Sequence, residues 1–193
     1  MKFLKKDSTE GSYVSDIVGK CAMANPSVSF RFIKDGKQVF FTPGDGNFLS
    51  AITAVLGNEF SKTLIPCDYE LNGITVRGFV SLPTAGRATR SGQYFYVNSR
   101  YVKIPMGASA LDAAYKNAVM VGKFPACVID LVMPPAVVDV NVHPAKTEVR
   151  FSDEKRVFEA IYYAAKNAIS LGDRRPQLHL KDAVKPAPLT GEQ

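Results

Sequence analysis

A chain of 193 residues, 46% of them hydrophobic, can bury one substantial core, and its simplest organisation is a single domain with a tail. No stretch of about 18 apolar residues occurs, so nothing reads as a membrane-spanning helix, and the basic start Met1-Lys2-Phe3-Leu4-Lys5-Lys6 lacks the apolar run of a secretory signal. Cys21, Cys67 and Cys127 lie far apart in apolar stretches and read as buried thiols of a reducing, cytoplasmic compartment; with only His143 and His179 besides, there is no metal-ligand spacing, and the net charge of +6 permits a polyanionic partner.

Asp7 and Ser8 are candidate caps for a helix over about residues 9–24, with Tyr13, Val14, Ile17, Val18 and Cys21 as its apolar stripe. Ser27 to Lys34 reads as a strand, Asp35-Gly36 as a hairpin turn, and Gln38 to Thr42 as the return. Pro43-Gly44-Asp45-Gly46-Asn47 then breaks the chain and caps a short helix, Phe48 to Leu56, that Gly57 ends. Those glycines invite a nucleotide-loop reading, but no Gly-Lys-Ser/Thr follows, so a turn and cap explain them.

A second hairpin joins Thr63–Glu70 to Ile74–Leu82 around Leu71-Asn72-Gly73, and Pro83 to Gly92 reads as a mobile loop. Gln93 to Asn98 is an aromatic strand, Ser109 to Val121 a helix, and Ala126 to Met133 a buried strand. A last helix spans Asp153 to Ser170, with Ser152 as its cap. After Gly172 proline recurs without periodicity, which marks a linker. The elements compose an α+β fold, a two-layer α/β sandwich with helices over one face of a sheet. The abrupt start and the trailing end read as a piece cut from a longer protein.

Two stretches carry chemistry. In Val137 to His143, Val138, Val140 and Val142 point one way and Asp139, Asn141 and His143 the other. Pro144 ends regular pairing and leaves Lys146 on a turn, where a rigid strand can present one ammonium to a phosphate or carboxylate. A solvated loop lysine accounts for the same pattern. Between Ala85 and Pro105, Arg87, Arg90, Arg100 and Lys103 occur with no acid and with Tyr94, Tyr96 and Tyr101 interleaved. That composition suits a phosphate-backbone surface, or equally an edge strand protected by its cations.

The run Asp139-Val140-Asn141-Val142-His143-Pro144-Ala145-Lys146-Thr147-Glu148-Val149-Arg150-Phe151 is similar to the signature of the MutL family of DNA mismatch repair proteins. Tyr94 to Val102 resembles that family's second motif, usually Val-Asn-Gly-Arg, with Ser99 in the glycine's place, and Lys123-Phe124-Pro125 fits the segment between. The likeness runs from Met1 to about Ile169. It implies a transducer domain over residues 27–170 whose fold is shared with a ribosomal protein and the GHMP kinases and includes a left-handed βαβ crossover. Residues 1–26 would be the connecting helix from a GHKL-type ATPase domain, and 171–193 the start of a flexible linker. The resemblance also implies that Lys146 reaches the terminal phosphate of ATP in that neighbouring domain, with Asn141, His143 and Pro144 supporting its turn. Arg100, with Arg87, Arg90 and Lys103, would contact DNA without sequence preference. ATP and magnesium would belong to the full-length homodimer, whose partners are MutS, DNA and its own C-terminal dimerisation domain; the fragment alone would not be an enzyme. The equivalent domain of a type II topoisomerase subunit, or a freestanding nucleic-acid-binding module, are the alternatives.

Overall fold

A computed structural model of the chain describes residues 7–139 and 148–172. In chain order its elements are α1 (Asp7–Ala24), β1 (Arg31–Lys34), β2 (Lys37–Phe41), α2 (Phe48–Leu56), the single turn α3 (Asn58–Ser61), β3 (Leu64–Pro66), β4 (Tyr69–Leu71), β5 (Ile74–Ser81), β6 (Gln93–Val97), β7 (Arg100–Val102), α4 (Pro105–Ala114), β8 (Cys127–Val132), β9 (Val138–Asp139), β10 (Arg150–Phe151) and α5 (Glu154–Gly172).

The most apolar strand, β8, takes the middle of a mixed sheet in the order β3-β5-β8-β6-β7, with β4 paired to β5 beyond β3. Burial of Cys127 to Leu131 without a break is what a central strand covered on both faces requires. β6 and β8 are parallel and therefore need a crossover, supplied by β7 and α4; the other neighbours are antiparallel. Alternation sorts the side chains. Val76, Val80, Phe95, Val97, Ile129 and Leu131 pack under α4 and α5, against Leu111, Val157 and Ile161 among others. Phe79, Tyr96 and Val128 face Met23, Ile52 and Phe60 of α1, α2 and α3.

The sheet with α4 and α5 is the expected two-layer arrangement. Beyond it, α1, α2 and α3 cover part of the opposite face. α1 does so with the side not expected: Gly19, Ala22 and Met23 are buried, while Tyr13, Val14, Ile17 and Cys21 are exposed. Small size decides this, because a Cβ on Gly19 would stand 2.8 Å from Val55 of α2 and only a bare glycine lets the helices approach.

Several boundaries move for identifiable reasons. The first strand is confined to Arg31–Lys34, and its partner runs Lys37–Phe41. The expected strand over 63–70 is split into β3 and β4 at Cys67-Asp68. The helix placed over 109–121 instead begins at Pro105, whose missing N–H costs nothing in a first turn. It stops after Ala114, where the buried Tyr115 donates its hydroxyl to the Ser81 carbonyl and Asn117 turns to a φ of 67°. Asp153, not Ser152, caps α5, accepting from the Arg156 N–H at 3.1 Å, while the Ser152 hydroxyl donates to Val137 O. The segment 83–92, read as a mobile loop, forms two short 3-10 turns and is tied to Phe124 by paired backbone bonds from Arg87, both 2.8 Å. No described helix is long and apolar enough to cross a membrane.

The thiols divide accordingly. Burial pushes Cys67 up to about 12 and raises Cys127 as well, and neither is a thiolate at neutral pH. A thiol reagent at pH 8 should therefore label Cys21 in the native chain and reach Cys67 and Cys127 only with global unfolding; rapid native labelling of all three would contradict the core described here.

Candidate functional site

The turn between β6 and β7 is built from two residues with positive φ, Asn98 at 49° and Ser99 at 63°, the conformation of a type I′ hairpin turn. Asparagine tolerates it, whereas serine does so at a cost. A buried carboxylate offsets that cost. Asp130 on β8, 8% exposed, accepts from the Ser99 N–H at 3.0 Å and the Ser99 hydroxyl at 3.4 Å. Asn98 is latched too, donating from Nδ2 to Met133 O and accepting from Met133 N–H, both at 3.0 Å. Arg77 lies across β5 with Nη2 3.8 Å from Asp130, too long and too exposed to contribute much.

The locked turn starts β7, an edge strand of three residues. Arg100, its first residue, is exposed and pairs across the ladder with Val97. Tyr101 packs edge-on against Tyr96, with ring centroids 5.8 Å apart, and the Lys20 ammonium of α1 sits 4.2 Å above the Tyr101 ring. Burial works against that charge, but the hydrogen bond to Asp16 at 2.5 Å and the neighbouring Tyr101 leave the Lys20 pKa above the ordinary lysine value. The Tyr96 hydroxyl donates to Lys20 O at 3.2 Å, so one residue of α1 is fastened twice to the β6–β7 hairpin.

Lys103, also exposed, follows β7 and forms an isolated parallel bridge with Glu148. β9 and β10 pair Asp139 with Arg150 and Val138 with Phe151. Both flanks of residues 140–147 are thus tied to the domain, one of them beside β7. Asn141, His143, Pro144 and Lys146 lie outside the described residues.

The four basic residues of the sequence cluster are spread along β6 and β7, with Lys103 brought back level with Tyr94 by the antiparallel pairing. Arg100 follows the C-terminal end of β6, whereas Arg87 and Arg90 precede its N-terminal end, about 13 Å away along five residues of strand. Arg90 pairs with Asp112 at 2.5 Å and lies 3.9 Å over Phe124; Arg87 lies 4.5 Å over Phe60. Both cations have intramolecular partners, while neither Arg100 nor Lys103 has an ion pair among the described residues. Asp130 and Lys20 were missed in the sequence. A lone carboxylate inside the apolar run Ala126–Met133 was the available signal for Asp130; nothing in the order of residues pointed to Lys20.

The fold and its locked turn belong to a DNA mismatch repair class of domain: the family model described as "DNA mismatch repair protein, C-terminal domain" matches residues 52–170. The DNA mismatch repair protein MutL of Symbiobacterium thermophilum is 44% identical over 169 residues, covering 88% of this chain and 27% of that protein. The chain belongs to the MutL family of DNA mismatch repair proteins. It therefore spans between a quarter and a third of the relative's length. Two solved structures share the fold. One, described as the N-terminal domain of a DNA repair protein, gives a TM-score of 0.70 at 22% identity, over 86% of this chain and 56% of that one. The Aquifex aeolicus MutL ATPase domain complexed with ADP gives 0.55 at 21% identity, over 83% and 50%.

Removing the Asp130 carboxylate takes from the part-buried Ser99 N–H and hydroxyl the acceptor that holds the turn. Asp130→Ala should cost about 1–3 kcal/mol in urea unfolding, whereas Ser99→Gly, which keeps the N–H and relieves the positive φ, should cost nothing measurable. Equal losses from both would refute the assigned role of the carboxylate.

Proposed function

We propose that this chain is the transducer domain of a MutL-type protein, supplying Lys146 to the terminal phosphate of ATP held by an adjoining ATPase domain and offering DNA the edge carrying Arg100 and Lys103. The observation that carries this reading is the anchoring of residues 140–147 at both flanks, with Glu148 bridged to Lys103. A lysine between two anchored flanks is suited to carry a charge to a neighbour. At about 4 Å and an effective dielectric near 20, a unit pair is worth roughly 4 kcal/mol before desolvation. That attraction is lost when the terminal phosphate leaves, which makes the lysine a reporter of nucleotide state.

The glycine-rich turn Pro43 to Asn47 is packed as a turn and helix cap. Gly44, with φ 74°, packs so that an added Cβ would meet Ser29 N at 2.7 Å, which closes the glycine-rich turn against its own backbone. No cluster of three His, Cys, Asp or Glu side chains exists among the described residues. ATP and magnesium belong to the neighbouring domain, and this chain adds one cation to them.

α1 supports the connecting-helix reading of residues 1–26, since the exposed stripe Tyr13, Val14 and Ile17 provides a face for that neighbour. The β1–β2 hairpin extends the argument. It is a separate two-stranded sheet that buries Phe40 against the rest of the fold and leaves Ile33, Val39 and Phe41 half exposed. Partners on this reading are DNA, MutS, the C-terminal dimerisation domain and a second copy of the full-length protein, in the cytoplasm of a bacterium.

Joined to its ATPase domain, the protein should hydrolyse ATP, and Lys146→Ala should lower kcat/KM about 10- to 100-fold, the effect of losing roughly 1.4–3 kcal/mol at the transition state. Unchanged kinetics would dismiss the lysine's role. Separately, Arg100→Glu in the full-length protein should weaken duplex or single-strand binding while leaving the melting temperature unchanged; binding unaltered at low salt would count against the DNA surface.

A further inference from the structure

Of the large apolar side chains exposed among the described residues, the two with most surface in water are neighbours: Met120 at 72% and Val121 at 103%. They are held there by construction. Lys123 N–H closes a turn onto Met120 O at 3.0 Å, and Gly122 has the φ of 76° that the third residue of a type II turn needs. Upstream, Ala118 N–H and Val119 N–H both bond to Tyr115 O, at 2.9 and 3.2 Å. Downstream, Phe124 is clasped by Arg87, and Gly86 fits so closely that any side chain there would strike Val119 and Lys123. The apolar apex is therefore a preformed feature.

Its surroundings are cationic. Lys116 and Lys123 are exposed on either side of the apex and have no ion pair among the described residues. The one acid lining the same hollow, Asp112, is paired through Oδ2 with Arg90 at 2.5 Å, and its buried Oδ1 has no hydrogen-bond partner among the described residues. We propose that the turn Met120–Lys123 is a second nucleic-acid contact, with Met120 and Val121 wedged against an unstacked base step and Lys116 and Lys123 on the flanking phosphates. A protein groove receiving the apex would have to bury two uncompensated ammoniums or supply two matching acids. Any duplex presents phosphates on both sides of every step, and apolar wedges bordered by cations are a recurrent way to open one. The contact rests on the DNA-binding reading above, yet it sits apart from Arg100. The loop leads into the start of β8, beside the start of its parallel neighbour β6, and Arg100 follows the far end of β6.

The test uses the 193-residue chain and a fluorescein-labelled duplex carrying 2-aminopurine next to a mismatch, at low salt. Wild type should bind and brighten the 2-aminopurine. Met120→Ser combined with Val121→Ser should abolish the brightening and weaken binding about ten-fold with the salt slope unchanged; Lys116→Glu combined with Lys123→Glu should lower the slope by about 2. Both variants should keep the wild-type melting temperature. Serine variants that bind and brighten like wild type overturn the proposal. If Arg100→Glu alone abolishes binding while every loop variant behaves as wild type, the DNA surface stands and the wedge falls. No binding by wild type at all sinks both. Serine variants that bind DNA normally but lose self-association in sedimentation would make the apex a contact between copies, and the proposal would be wrong.

Discussion

The buried carboxylate of Asp130 is the constraint on which the functional edge depends. Without an acceptor beneath it, Ser99 would sit at φ 63° with little to hold it there, and the chain would have no reason to reverse so tightly after β6. With Asp130 accepting from its N–H and hydroxyl, the turn closes in two residues and β7 is laid down in a single register: Phe95 on Val102, Tyr96 on Tyr101, Val97 on Arg100. A slip of one residue would exchange the faces, sending Val102 out of the core and Tyr101 away from α1. Arg100 lies on the same face as the buried Val102 and is exposed because it stands at the start of the edge strand, directly after that turn.

α1 illustrates how a surface declares its neighbours. Its apolar residues and its packing residues are different sets. Gly19, Ala22 and Met23 make the contact with the rest of the fold, because small side chains permit the closest approach, and Tyr13, Val14 and Ile17 remain outside. A helix that is apolar on one side and small on another has two partners to satisfy. The β1–β2 hairpin carries the same message, with Phe40 turned inward and Val39 and Phe41 outward.

Much of this was legible beforehand because local rules governed it. Asn47 caps α2 by accepting from Leu49 and Ser50 N–H, and Gly57 ends it, as their positions indicated. Asp35-Gly36 and Asn72-Gly73 turn with positive φ. The strand over Ala126 to Met133 was recognisable as buried from a run that is apolar but for Asp130. What escaped was non-local. The β6–β7 turn was hidden because serine occupies a site that favours glycine, and its stabilising partner lies 31 residues away. α4 ended early because Tyr115 found Ser81, 34 positions back in the chain. The cluster of cations between Arg87 and Lys103 is linear in sequence, whereas β6 sets Arg90 and Arg100 a strand's length apart and β7 returns Lys103 towards the start of β6. The Lys146 turn was read from strand alternation and Pro144, and it lies outside the described residues.

A three-residue strand has little room to move independently of what it touches. β7 is bonded along one side to β6, pressed by Lys20 of α1 at Tyr101, and followed at once by Lys103, which bridges Glu148. On the proposed reading, α1 comes from the ATPase domain and the turn ending before Glu148 reports on its nucleotide. Both would then meet at the strand that presents Arg100. The two attachments differ in kind. The bridge is main-chain and directional, so it transmits position. The contact of an ammonium with a ring and a carboxylate is soft, so it tolerates rotation of the helix while resisting its departure.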